Sequence, residues 1–215
     1  MTLRLYFHPL SSFCQKVLIA LYENETPFAP ELVDFSDAAA DRRLLEMWPP
    51  HKIPILRDEA RNRMVPESSI IIEYLQQHYP GRVRLIPDDG EAARQVRFRD
   101  RFYDFYVAAP MQKIVTDRLR PAGQNDPYGV AEARRLLRRA LGMIDREMGR
   151  KTWSTGEAFT MADCAAAPAL FYADKVMPLA EKHANAAAYL DRLRKRPSYA
   201  RALAEAEPYL KLFPR

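Results

Sequence analysis

Apolar and polar positions alternate along residues 3 to 7, Leu3-Arg4-Leu5-Tyr6-Phe7, as they do in a half-buried strand. His8-Pro9-Leu10-Ser11-Ser12 breaks the alternation with turn and cap residues. Val17, Leu18, Leu21 and Tyr22 then recur at helical spacing, and Asn24 closes that segment before an extended stretch from Phe28 to Phe35. Residues 38 to 47 predict a second helix, ended by Trp48-Pro49-Pro50 because proline disfavours helix in the residue before it. Ile53-Pro54-Ile55-Leu56 reads as a short strand, the polar span from Arg57 to Arg63 as a turn, and Met64-Val65 as the returning strand. Ser68 to His78 predicts a helix with Ile71, Ile72 and Leu75 inward, terminated by Pro80-Gly81. The predicted order is βαβαββα.

Beyond this point the periodicity is helical throughout. Helices are expected near 91–119, 128–149, 160–174, 183–195 and 198–206, with Pro110 and Pro168 as kinks. The chain therefore divides into an α/β domain at 1–82, a linker at 83–90 and an all-α domain at 91–215, with no internal repeat and no low-complexity tract.

With 215 residues, 48% of them apolar, the chain is long enough to bury a real core. No apolar run approaches a membrane span and no signal-peptide core follows Met1, so a cytoplasmic protein that binds no membrane is expected. Cys14 and Cys164 are too few for a disulfide framework, and His8, His51, His78 and His183 have no metal-ligand spacing, so no metal is expected. The net charge of +5 invites a nucleic-acid reading. Arg134, Arg135, Arg138 and Arg139, however, flank Leu136, Leu137 and Leu141 as a solvated helix face does, and no base-reading motif accompanies them. No nucleic-acid partner is expected.

Three places carry chemistry. Ser11-Ser12-Phe13-Cys14 stands where the first strand turns into a helix, and a helix start, with its unpaired N–H groups and positive dipole end, stabilises an anion. Taken alone, Ser11 or Ser12 is an ordinary N-cap. Ile53-Pro54 precedes a short strand, where a cis bond would leave the backbone of Ile53 free to grip an extended peptide as an added strand does. Glu67-Ser68 opens the helix to His78: the serine hydroxyl and N–H suit a carboxylate, and the acid suits an ammonium beside it.

In this order and spacing the motifs resemble the glutathione transferase superfamily. Tyr6 to Glu23 is similar to its first βα unit, Lys52-Ile53-Pro54-Ile55-Leu56 to its cis-proline segment, and Glu67-Ser68-Ser69-Ile70-Ile71 to its γ-glutamyl recognition motif. Gly156-Glu157-Ala158-Phe159-Thr160-Met161-Ala162-Asp163 resembles the capping box and staple of its C-terminal domain, and physically Thr160 with Asp163 is a capping arrangement with Phe159 placed to staple it. The resemblance covers nearly the whole chain and is to a soluble, bacterial-looking, serine-type member with a theta-, zeta- or phi-like N-terminal motif.

The resemblance implies a thioredoxin-like N-terminal domain, an all-helical C-terminal domain, a homodimer, glutathione as cosubstrate and a detoxifying conjugation of its thiolate to a small electrophile. Ser11 falls at the position of the hydroxyl that contacts the glutathione sulfur and is the catalytic candidate, with Ser12 and Tyr6 as rivals. Lys52, with Arg42 or His51, is implied for the glycyl carboxylate, Ile53 and Pro54 for the peptide, and Glu67 with Ser68 for the γ-glutamyl end. Phe13 and aromatic residues among Phe102, Tyr103, Phe105 and Tyr106 are expected in the second-substrate pocket. Serine in place of cysteine at position 11 argues against mixed-disulfide chemistry, and Cys14 and Cys164 are expected in the core. Two other readings stay open. One is a maleylacetoacetate-type isomerase, which Ser11-Ser12 suggests and Phe13, in place of a cysteine, weakens. The other is a non-catalytic interaction protein on the same fold.

Overall fold

A computed structural model describes residues 2–214. Strand β1 (Leu3–Phe7) leads into helix α1 (Ser12–Glu23), followed by β2 (Ala29–Leu32), α2 (Ala38–Met47), β3 (Ile55–Asp58), β4 (Arg63–Pro66) and α3 (Ser68–His78). The predicted βαβαββα order is thus observed. The sheet runs β2-β1-β3-β4, with β2 parallel to β1 and the remaining neighbours antiparallel. Alternation along β1 sends Leu3, Leu5 and Phe7 into a core with Val17, Leu18 and Leu21 of α1 and Ile71, Ile72 and Leu75 of α3. The opposite face is thinner: Val33, Leu44 and Ile55 meet there, with Tyr6 and Trp48 against them, and Leu44 is the buried residue of α2.

The helical half contains α4 (Gly90–Phe102), α5 (Ala109–Asp117), α6 (Pro127–Met148), α7 (Met161–Val176), α8 (Ala184–Arg194) and α9 (Pro197–Ala206). The expected helix over 91–119 is interrupted by a π-helical turn, Tyr103–Ala108, in which Ala109 N–H reaches back to Asp104 O. Pro110 directly follows, and because it lacks an N–H it cannot continue the α register. The irregularity therefore precedes the proline instead of bending at it. Pro168 lies inside α7, which runs on through it. A final 3₁₀ turn, Glu207–Leu212, was not expected from the periodicity.

The capping box forms, with Thr160 N–H donating to Asp163 Oδ2 at 2.8 Å. Asp163 Oδ1 also accepts from Ser154 N–H (2.8 Å) and the Tyr189 hydroxyl (2.5 Å), which ties the preceding loop and α8 to the start of α7.

Helix α1 is the spine shared by both halves. Glu23 receives a two-pronged pair from Arg196 at 2.6 and 2.7 Å, and the Tyr22 hydroxyl donates to Glu205 at 2.7 Å. At mid-helix, Lys16 is 1% exposed. Its ammonium lies 2.5 Å from Asp100 Oδ1 of α4, 3.0 Å from Asp104 Oδ2 in the π turn and 2.9 Å from Ser69 Oγ of α3. Ser69 in turn donates to Asp100 Oδ2 at 2.6 Å, and Arg101 approaches Asp104 Oδ2 at 2.5 Å from the solvent side. Burial pushes the Asp104 carboxyl up, opposed by the Lys16 charge. Removing one member of such a buried group strands the others. Lys16→Met is therefore expected to lower the unfolding free energy by about 3 to 5 kcal/mol, measured by urea unfolding. A loss below about 1 kcal/mol, the range of an exposed pair, would show that the cluster does not tie the halves together.

Candidate functional site

A cleft of about 930 Å³ opens where the sheet meets the helical half. Ser11, Lys52, Ile53, Pro54, Glu67 and Ser68, all singled out from the sequence, line it together with His51 and Phe13. They come from three separate turns, each shaped by local backbone chemistry.

Ser11 is the N-cap of α1, in extended conformation (φ −72°, ψ 121°), with Cys14 N–H donating to its Oγ at 3.3 Å. Accepting that bond uses an oxygen lone pair and leaves the hydroxyl proton to donate into the cleft. The positive end of the helix adds to that donor. A thiolate or other anion beside Ser11 would meet both. Ser12, the first residue of α1, is not among the cleft residues. Tyr6 packs against Val33, Leu44 and Ile55 on the α2 side of the sheet, because alternation along β1 turns it away from Phe7.

The Ile53–Pro54 bond is cis. Ile53 stands before β3 and outside the ladder, whose pairing with β1 begins at Ile55 opposite Tyr6. Glu67 occupies a positive φ of 70° with ψ 118°, a conformation that costs a non-glycine residue about 1 to 3 kcal/mol. It is the N-cap of α3, yet its side chain does not fold back to cap the helix. The first amides of α3 and the hydroxyl of the buried Ser68 are thus left beside an exposed carboxylate. An anion and a cation on adjacent atoms would fit that start.

His51 Nε2 sits 2.8 Å from Asp41 Oδ1 without the alignment of a hydrogen bond. Arg42 is exposed on α2 and does not line the cleft. The expectation for the aromatic residues of the first long helix is corrected. Phe102 and Tyr103 are buried core, whereas Phe105 and Tyr106 are exposed and do not line the cleft. The helical half instead contributes Gln112 and Leu119, with Leu212 from the 3₁₀ turn. His8, Leu10, Phe35 and Trp48 were also missed as cleft residues. For His8 the sequence signal is local, since it lies three residues before Ser11 in the same turn. His8 Nδ1 accepts from Leu10 N–H at 3.2 Å, and burial pushes its imidazole down, against an opposing pull from Asp34.

A smaller concavity of about 340 Å³ beside Phe105, Pro110 and Leu136 gathers no comparable polar set, and its Arg135 is paired with Glu132. Among the described residues no group of three or more His, Cys, Asp or Glu side chains is arranged to hold a metal ion, and no helix is long and apolar enough to cross a membrane.

A thioredoxin-like sheet joined through α1 to a helical domain, with a serine-capped helix start lining their common cleft, defines a two-domain fold class. Family models narrow it: the glutathione S-transferase N-terminal domain matches residues 5–83, and the glutathione S-transferase C-terminal domain matches residues 127–192. The chain belongs to the glutathione S-transferase superfamily. It is 31% identical over 156 residues to glutathione S-transferase U25 of Arabidopsis thaliana, an alignment spanning 72% of this chain and 65% of that relative. It is also 28% identical over 169 residues to the stringent starvation protein A homolog of Coxiella burnetii, spanning 78% and 74%. Among solved structures, a glutathione S-transferase from Methylobacillus flagellatus KT with GSH bound superposes with a TM-score of 0.86 at 24% identity, over 93% of this chain and 98% of that one. One from Methylobacterium radiotolerans JCM 2831, in complex with glutathione sulfonate, does so with a TM-score of 0.80 at 27% identity, over 93% of each.

Both cysteines are fully buried, and burial pushes the Cys14 thiol up to about 12 and that of Cys164 well above its ordinary value. Neither is a nucleophile at neutral pH. In the folded protein at pH 8 both are expected to resist an aromatic disulfide reagent and to react together once denaturant is added. Rapid reaction of one thiol in the native protein would contradict this burial.

Proposed function

We propose that the chain is a glutathione transferase: it binds glutathione in the 930 Å³ cleft, ionises the thiol at Ser11 and delivers the thiolate to an electrophilic carbon of a small molecule. The observation that carries this reading is the convergence of Ser11, Ile53, Glu67 and Ser68, three chain-distant turns, on one cavity. In it the γ-glutamyl carboxylate meets Ser68 and the open start of α3, and its ammonium meets Glu67. The backbone of Ile53, before Pro54, grips the cysteinyl unit as an added strand would. Lys52 takes the glycyl carboxylate. The sulfur then lies at the Ser11 hydroxyl, which donates to it and stabilises its negative charge. The thiol proton leaves to solvent, the thiolate forms a C–S bond, and the leaving group departs with its bonding electrons.

The domain division at 1–82, 83–90 and 91–215, a cytoplasmic location and a homodimer belong to the same reading. Ile70, Phe98 and Phe105 remain about half exposed, a feature in keeping with a second copy covering them. Phe13 lines the cleft with a ring where an isomerase-type motif has a thiol, which favours conjugation over isomerisation.

One second reading is an interaction protein that keeps the fold without the reaction, in keeping with a relative, the stringent starvation protein A homolog, that is not named a transferase. Retention on immobilised glutathione, with elution by free glutathione, supports the enzyme. Passage without retention supports the interaction protein.

A hydrogen bond to a charged group is worth about 1.5 to 3 kcal/mol. Ser11→Ala should therefore raise the pKa of bound glutathione by about one to two units, while glutathione affinity measured below that pKa changes little. Thiolate absorbance of the binary complex against pH reads this directly. An unchanged pKa would move the role to another group.

A further inference from the structure

A second cavity of about 610 Å³ adjoins the cleft, lined by Arg118, Lys175, Leu210, Lys211, Phe213 and Pro214. Three of these six residues are cations, and among the described residues no acidic side chain lines the cavity. The contrast with neighbouring charges is plain, since Arg120 pairs with Asp117 at 3.3 Å and Lys113 with Asp126 at 2.5 Å. Arg118 instead donates to the backbone carbonyl of Pro214 at 2.9 Å. The Lys175 ammonium lies over the rings of Phe171 and Phe213, 4.8 and 6.0 Å from their centroids, an aromatic platform, and among the described residues no carboxylate pairs with it.

Neighbouring residues place this cavity beside the cleft. Leu119 and Leu212, which line the cleft, are the chain neighbours of Arg118 and Lys211, which line the cavity. Tyr172 stacks on Phe213 (centroids 5.4 Å apart, rings 18° from parallel), and its hydroxyl donates at 2.8 Å to the carbonyl of Leu10, another cleft residue. The cleft thus offers apolar surface at Phe13, Leu119 and Leu212, and the cavity beside it offers a rim of cations over Leu210 and Phe213.

We propose that this rim is an anion subsite and that the electrophile the protein conjugates is an amphipathic anion, an aromatic or similarly flat body carrying a carboxylate or sulfonate. The inference rests on the transferase reading and names the substrate class of that site. The apolar body occupies the cleft with its reactive carbon toward the sulfur, and the anionic end reaches Lys175, Lys211 and Arg118. Exposed charge pairs contribute only a few-fold each, so the subsite acts as a preference of about tenfold, and added salt weakens it.

The test compares 4-chloro-3,5-dinitrobenzoate with its methyl ester as electrophiles, each kcat/KM divided by the rate with free glutathione at the same pH. At low ionic strength the carboxylate-to-ester ratio is expected to be about ten, to fall toward one in 0.5 M sodium chloride, and to fall to about one or two in a Lys175→Gln, Lys211→Gln double variant. A ratio near one in the unaltered protein, or a high ratio that survives in the variant, overturns the proposal. If neither compound is conjugated, the transferase reading is decided separately by retention on immobilised glutathione. The subsite is then read by calorimetric titration with the benzoate: weaker binding in the double variant supports it, and equal binding overturns it.

Discussion

The buried ammonium of Lys16 is the constraint around which the two halves are arranged. One cation on α1 meets two carboxylates of the helical half and the hydroxyl of Ser69 on α3, so three elements are fixed to one point. Replacing such a group by apolar residues can leave stability unchanged, but removing one member leaves an uncompensated buried charge. The cluster therefore acts on geometry more than on net stability. Ser69 is next to Ser68, and Lys16 lies just over one helical turn beyond Ser11. Holding the ammonium holds the starts of α1 and α3 at a set separation, and these two helix starts are the polar ends of the cleft.

With that separation fixed, the cleft needs few specialised groups. At α1 a serine both caps the helix and keeps a proton to donate. At α3 the residue in the capping position takes a positive φ and leaves the helix start open, with its own carboxylate beside it. Backbone strain of this kind persists only where the surroundings hold it, and here the buried Ser68 and Ser69 follow immediately. The buried, unionised Cys14 completes the contrast, because the thiol supplied by the chain is inert and a reactive one has to arrive with the ligand.

Most of the sheet half was legible in the sequence because a two-residue alternation, serines at the starts of α1 and α3 and two proline turns punctuate it. The cis bond was legible only through resemblance, and the roles proposed for Ser11 and Glu67 rest on the same resemblance, since a serine or an acid at a helix start has a plainer capping role. Lys16 gave no signal: a lysine within a helix reads as solvated, and its two acidic partners lie more than eighty residues away. The aromatic residues from Phe102 to Tyr106 were expected at the cleft by resemblance alone, and the π turn that interrupts their helix is a break that a 3.6-residue pattern cannot anticipate. Gln112, Leu119 and Leu212 reach the cleft through tertiary packing that local periodicity does not encode.

The account stands or falls on where a sulfur lies in the cleft, and a crystal structure of the protein soaked with glutathione tests this most directly. The account predicts the sulfur within hydrogen-bond distance of Ser11 Oγ, about 3 to 3.5 Å, and the γ-glutamyl carboxylate at Ser68 with its ammonium toward Glu67. A well-ordered glutathione whose sulfur lies against Tyr6 or Ser12, or whose γ-glutamyl end sits away from the start of α3, would contradict it.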